Sequence, residues 1–156
     1  MQFQKKQSYY IKITKELGMY ILTIPNEPNC EFTVSTNESY FTINLRLFKN
    51  ITYLAVNVVS SLLSDSVNED GGIQYNYNKI APDSLILPYE CNNTIGNFIM
   101  TSSDGSYPIF DGFNTKYILV YLEPSEAIAF YDSLDSRELI LDFIYNNVAS
   151  YEYRQS

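Results

Sequence analysis

Residues 41–47, Phe-Thr-Ile-Asn-Leu-Arg-Leu, place an apolar side chain at every second position and a polar one between. A helix would scatter those four apolar side chains around its circumference, whereas an extended strand puts them all on one face. The same period recurs elsewhere. Tyr9, Ile11 and Ile13 alternate with Tyr10, Lys12 and Thr14, and Phe32 and Val34 with Thr33 and Ser35. Ile73, Tyr75 and Tyr77 alternate with Gln74, Asn76 and Asn78, which predicts a tyrosine face backed by an amide face. Residues 53–59 are apolar more continuously, as a strand covered on both faces would be. Residues 85–87, 98–101 and 117–122 complete a set of seven to nine short strands.

Turn chemistry separates these runs. Prolines and asparagines fill 24–29, Asn-Glu-Asp-Gly-Gly occupies 68–72, Ala-Pro-Asp 81–83, and Asp-Gly pairs stand at 104–105 and 111–112. Short strands with turns every 8–15 residues predict a mainly β chain, a sandwich or barrel over 1–122. Beyond that point the period changes. Pro124 suits the first position of a helix, with Glu126 in the first turn. Asp135 or Ser136 is expected to cap a further helical stretch, either a kinked continuation or the second arm of a hairpin. Leu139, Ile140, Phe143, Ile144 and Val148 form an apolar stripe that must bury against the sandwich or against a neighbouring subunit. A helical extension over 123–156 is therefore expected.

Composition narrows the function. Among 156 residues there are 15 Tyr, no His and no Trp. Without histidine the commonest general base and metal ligand is missing, and no Gly-x-Ser-x-Gly or phosphate-cradling glycine loop occurs. The acidic loop 65–70 lacks the ligand spacing of a calcium loop, with Val67 where an oxygen is needed. Asp104 and Asp111 could flank a sugar as a carboxylate pair, yet two Asp-Gly turns need no catalysis to explain them. Cys30 and Cys91 are too few for a zinc site; one disulfide would form if strands bring them together, and without a secretion signal two free buried thiols are the favoured reading. No catalytic, metal or cofactor site is expected.

The net charge of −8 is divided unevenly: residues 1–50 carry six bases and four acids, residues 51–156 four bases and fourteen acids. Such a chain is a poor match to the nucleic-acid backbone. No apolar run reaches the ~20 residues of a membrane helix. The opening residues, MQFQKKQSYY, lack a secretory apolar core, so synthesis is expected in the cytoplasm.

Several segments, taken in order, resemble a known family. Residues 19–34 contain Ile24-Pro25, Pro28-Asn29, Phe32 and Val34, similar to an "IP-x-x-P-N-x-x-F-x-V" opening. Tyr40 through Leu45-Arg46, with four intervening residues instead of three, resembles the "Y-x-x-x-L-R" strand that follows, and Tyr53-Leu54-Ala55-Val56 its "Y-L-x-V" partner. Leu85-Ile86-Leu87-Pro88-Tyr89 and Gly96-Asn97-Phe98 resemble an "L-L-x-P-Y … G-x-F" segment. The run from Thr101 to Gly105, with Tyr107-Pro108, Asp111-Gly112-Phe113 and Leu119-Val120-Tyr121, resembles the closing strands. The family is the Ig-like baseplate plug proteins of contractile-tailed bacteriophages. One departure is Asn114, where members often carry glycine.

The resemblance implies an Ig-like β-sandwich placed in the virion baseplate near the central hub and tube. Its partners would be other tail proteins of hub, tube or wedge, in several symmetric copies. On that reading Tyr75, Tyr77, Phe143, Ile144, Val148 and Tyr151 are candidate interface residues, and removing 123–156 is expected to stop incorporation while leaving the sandwich folded. Two other classes compete: a small acidic inhibitor or immunity protein that binds a basic partner, and a carbohydrate-binding module using the tyrosine faces.

Overall fold

The computed structural model describes the backbone of residues 5–7, 10–12, 18–36 and 38–155, and the side chains of 18–36 and 38–146. Among the described residues nine strands and three α-helices follow in order: β1 (Lys5–Gln7), β2 (Tyr10–Lys12), β3 (Met19–Leu22), β4 (Cys30–Ser35), β5 (Ser39–Phe48) and β6 (Ile51–Ser60). Then come α1 (Asp65–Glu69), β7 (Ile73–Lys79), β8 (Asn97–Ser102), β9 (Tyr117–Leu122), α2 (Pro124–Asp132) and α3 (Leu134–Gln155). Tyr9 and Ile13 lie outside the described residues.

Two sheets pack face to face. One has the order β1-β4-β5-β6-β7, an antiparallel meander from β4 to β7 edged by β1, which runs parallel to β4. The other has the order β2-β3-β9-β8 and is antiparallel throughout. Between them Phe32, Phe41, Ile43, Leu45, Leu54, Val56 and Val58 of the first sheet meet Tyr20, Leu22, Phe98, Met100, Leu119 and Tyr121 of the second. Phe41 meets Phe98 edge-on at 5.3 Å and lies 4.9 Å from Tyr121, joining the sheets through aromatic contacts.

The doubly covered strands differ from the expectation. Along β6 the inward set, Thr52, Leu54, Val56, Val58 and Ser60, is buried; on the other face Ala55 is buried but Tyr53, Asn57 and Val59 are half-buried. The strands buried on both faces are β3, β8 and β9, because α2 and α3 form a third layer on the outer side of their sheet. There Met19, Ile21, Ile99, Ile118, Val120 and Leu122 pack with Ala127, Phe130 and Ile144, all at 2% exposure or less. This is the physical reason that Tyr117–Leu122 reads as an unbroken apolar run. The second sheet of the sandwich thus shares a core with the helices.

The helices are a hairpin broken at Ser133, whose backbone is extended (φ −144°, ψ 130°). The cap of α3 is Ser133 rather than Asp135 or Ser136: its hydroxyl accepts from the Ser136 amide at 3.2 Å. Pro124 and Glu126 sit in the first turn of α2 as expected. Residues 85–87 form no strand; they reach β8 through a single Leu85–Ile99 bridge and the Ile86 amide, which donates to the Phe98 carbonyl at 2.9 Å.

Candidate interaction surfaces

Two faces present chemistry suited to contact. The first is the outer face of the five-stranded sheet. The tyrosine face expected along β7 does not form, because the register against β6 slips by one between Leu54 and Val56. The extra residue turns the strand over. Ile73 and Tyr75 lie on the inner face, with Tyr75 packed against the core, while Tyr77 turns outward and stays 41% exposed. Burial and a hydrogen bond to the Cys91 sulfur push the Tyr75 phenol up to about 12. Outside, the Arg46 guanidinium stands 5.4 Å from the Tyr77 ring and Arg46 is paired across the ladder with Tyr53. The Lys79 ammonium lies 5.0 Å from the Tyr107 ring. Arg46, Tyr77, Lys79 and Tyr107 thus make a strip of cation–aromatic pairs along the β7 side of the molecule.

The second face lies on the opposite side, on the helical layer. Between α2, the first half of α3 and β3 runs a mainly apolar cleft of about 360 Å³, walled by Met19, Glu126, Ala129, Leu139, Ile140 and Phe143. Leu139 on its rim is 71% exposed, whereas Glu126 is only 8% exposed. The Ser125 hydroxyl donates to Glu126 Oε2 at 2.6 Å. No other donor reaches the carboxylate among the described residues. Nearby, Arg137 is already engaged: its Nε donates to the Phe130 carbonyl at 3.2 Å and its guanidinium lies over the Phe130 ring.

The candidate interface residues therefore separate. Tyr77 faces outward on the first surface and Phe143 lines the cleft of the second. Tyr75 belongs to the edge of the sandwich core, and Ile144 is wholly buried against the chain's own sheet. The side chains of Val148 and Tyr151 lie outside the described residues.

The residues weighed for catalysis and metal binding have other occupations. Asp104 is exposed and bridges to Lys116 at 2.6 Å; that ammonium and the Ser106 hydroxyl hold its carboxyl well below the usual range. The loop 65–70 folds as α1, capped by Ser64, and the Asn68 amide is spent on both backbone groups of Ser60. No cluster of three ligating side chains occurs among the described residues. Cys30 and Cys91 are free thiols, both buried.

Four positions that hold the surfaces in place were not singled out from their residue types. Tyr145 on α3 donates to Asp83 Oδ1 at 2.8 Å and receives the Ser102 amide at 3.2 Å, tying the helix to β8. The Tyr20 hydroxyl donates to Glu123 at 2.5 Å at the start of α2. Asn97 pairs with both backbone groups of Leu87, and Asn114 with both backbone groups of Ile24. A lone tyrosine or asparagine among 15 of each carries no periodic signal, so these partners are visible only in three dimensions.

No protein-family model, curated protein or solved structure matches the chain.

Proposed function

We propose that the chain is a non-enzymatic structural subunit of a contractile phage tail, docking by protein–protein contacts in the baseplate near the hub and tube. The observation that carries the reading is the ordered run of motifs over residues 19–122. Those motifs fall on β3 to β9, the span that builds both sheets. Asn29, the asparagine of the opening motif, accepts the Leu47 amide at 3.1 Å, and Asn97 and Leu87, at the variable positions of two later motifs, tie those segments together.

Asn114, the departure from the family pattern, adopts φ 69°, the left-handed region that glycine ordinarily fills. The order β2-β3-β9-β8 parallels the A-B-E-D sheet of immunoglobulin domains and supports the Ig-like part of the reading. The facing sheet departs from that fold, with a β4–β7 meander in place of strands C, F and G. Exposed tyrosines on one face and an apolar cleft on the other suit a subunit held between neighbours.

The test is to purify particles from the source culture, label them with antibody against this chain, and search their mass spectra for its peptides. Gold at one end of the tails together with those peptides supports the reading. Intact particles without the protein, from infected cells that contain it, refute it. The acidic helical layer favours one alternative, an intracellular inhibitor of a basic protein. Tight one-to-one, salt-sensitive capture of such a protein from infected cells would select it.

A further inference from the structure

Residues 123–146 carry six carboxylates and one basic residue, Arg137, whose guanidinium is taken up by Phe130. Within this acidic layer Glu126 is in an unusual position for a carboxylate. It is 92% buried on the wall of an apolar cleft, its Oε2 held only by the neighbouring Ser125 hydroxyl and its Oε1 without a donor among the described residues. Glu126 is mostly buried yet keeps one oxygen open to the cleft with no cation beside it among the described residues, so an opposite charge delivered into the cleft would find a carboxylate to pair with. The apolar walls ask at the same time for apolar atoms.

We propose that the cleft receives an arginine or lysine side chain from a segment of a partner protein, its charged end paired with Glu126 and an apolar neighbour covering Leu139. Three features fit this occupant. Long basic side chains carry an aliphatic stem that lies against apolar walls while the head reaches a carboxylate. The cleft, about 360 Å³, is of a size for one or two side chains rather than a whole helix. Leu139, 71% exposed at the rim, offers an apolar contact beside the charge, and the surrounding carboxylates of Asp135, Glu138 and Asp142 draw in a basic segment. The inference concerns what the cleft takes and stands apart from the baseplate reading.

The experiment uses the full chain, isotopically labelled, titrated by NMR with acetyl-Leu-Arg-Leu-amide and, separately, acetyl-Leu-Gln-Leu-amide. The expected result is saturable shifts at Ala129, Leu139 and Ile140 with the arginine peptide and an affinity about tenfold lower for the glutamine peptide. In Glu126→Gln the two peptides should bind equally. Leu139→Ser, at an exposed position, should weaken the arginine peptide while leaving its preference over glutamine. No response to the arginine peptide up to ~10 mM overturns the proposal. So does equal binding of both peptides by the unaltered chain, or discrimination that survives Glu126→Gln. Should Glu126→Gln fail to fold, unchanged arginine-peptide affinity in Leu139→Ser overturns it alone. Propylguanidinium binding as tightly as the peptide would assign the cleft to a small cation and overturn the protein-segment occupant.

Discussion

The Asn97 side chain makes a two-way pair with the backbone of Leu87: Oδ1 accepts the Leu87 amide at 2.8 Å and Nδ2 donates to the Leu87 carbonyl at 3.1 Å. Oδ1 also accepts the Phe98 amide, and Nδ2 also reaches Asn92 Oδ1 at 2.7 Å, so a fully buried amide has every polar group engaged. Asn97→Leu keeps the volume and strands two buried backbone groups of Leu87. A loss of about 2–4 kcal/mol is expected, since each buried group left unpaired costs about 1–3 kcal/mol. Urea unfolding followed by tyrosine fluorescence measures it; a loss below about 1 kcal/mol would mean that water replaces the amide.

Asn114 separates two effects that usually travel together. Its backbone is left-handed, and its side chain pairs with Ile24, accepting the amide at 2.9 Å and donating to the carbonyl at 2.6 Å. Asn114→Gly keeps the backbone relaxed and removes the pairing, at an expected cost of about 1 kcal/mol. Asn114→Ala removes the pairing and adds left-handed strain, for about 2 kcal/mol. Thermal melts of both variants check the order. Equal destabilisation would place the whole effect in the side chain.

Much of this architecture is legible in the sequence. The alternation at 41–47, the turn clusters and the change of period at Pro124 place β5, the loops and α2 where the chain folds them. The covering of β3, β8 and β9 on both faces is not legible, because a continuous apolar strand looks the same whether a helix or another sheet covers it. Nor is the β7 bulge: Ile73, Tyr75 and Tyr77 keep a perfect period of two, and only pairing against β6 shifts Tyr77 outward. Glu126, two residues after Pro124, carries the signal of a first-turn acid, and the helix places it there. Its place in a cleft shared with Leu139 and Phe143 depends on α3 folding back on α2, which no local pattern records.

Alkaline pH should unfold the chain at a definite point. Burial pushes the phenols of Tyr75, Tyr121 and Tyr145 upward, Tyr75 from 10.0 to about 12, with Asp83 adding to the rise at Tyr145. A group whose folded pKa lies above its unfolded value favours the folded state while protonated. Stability should therefore be level below pH 10 and decline as pH rises from 10 toward 12 and beyond. Tyrosinate absorbance and far-ultraviolet dichroism followed together provide the check. The buried phenols should ionise only as the secondary structure is lost. Complete ionisation of every tyrosine in a chain that remains folded would contradict the burial described here.

Tyr145→Phe removes one hydroxyl that bonds to Asp83 and to both backbone groups of Ser102. The Asp83 carboxylate keeps the Ser102 amide, so the expected cost is modest, about 1–2 kcal/mol. Its location matters more than its size. Faster amide exchange should be confined to α3 and the 81–84 turn, with β5 and β6 unchanged. Uniform acceleration over all strands would mean that helix and sandwich open only as one unit.

Truncation after Leu122 tests how deeply the helical layer belongs to the fold. It would uncover Met19, Ile21, Ile99, Ile118, Val120 and Leu122 together, the outer face of the second sheet. It would also leave Tyr20 without Glu123 and Asp83 without Tyr145. Six adjacent apolar side chains on an open antiparallel sheet make a surface prone to association. The truncated chain should therefore be recovered as aggregate, or as a molten species that binds hydrophobic dye, rather than as a folded monomer. Sedimentation and dye binding decide it. A soluble, cooperatively unfolding 1–122 fragment would mean that the two-sheet core holds the fold alone and that the helices are an addition to it.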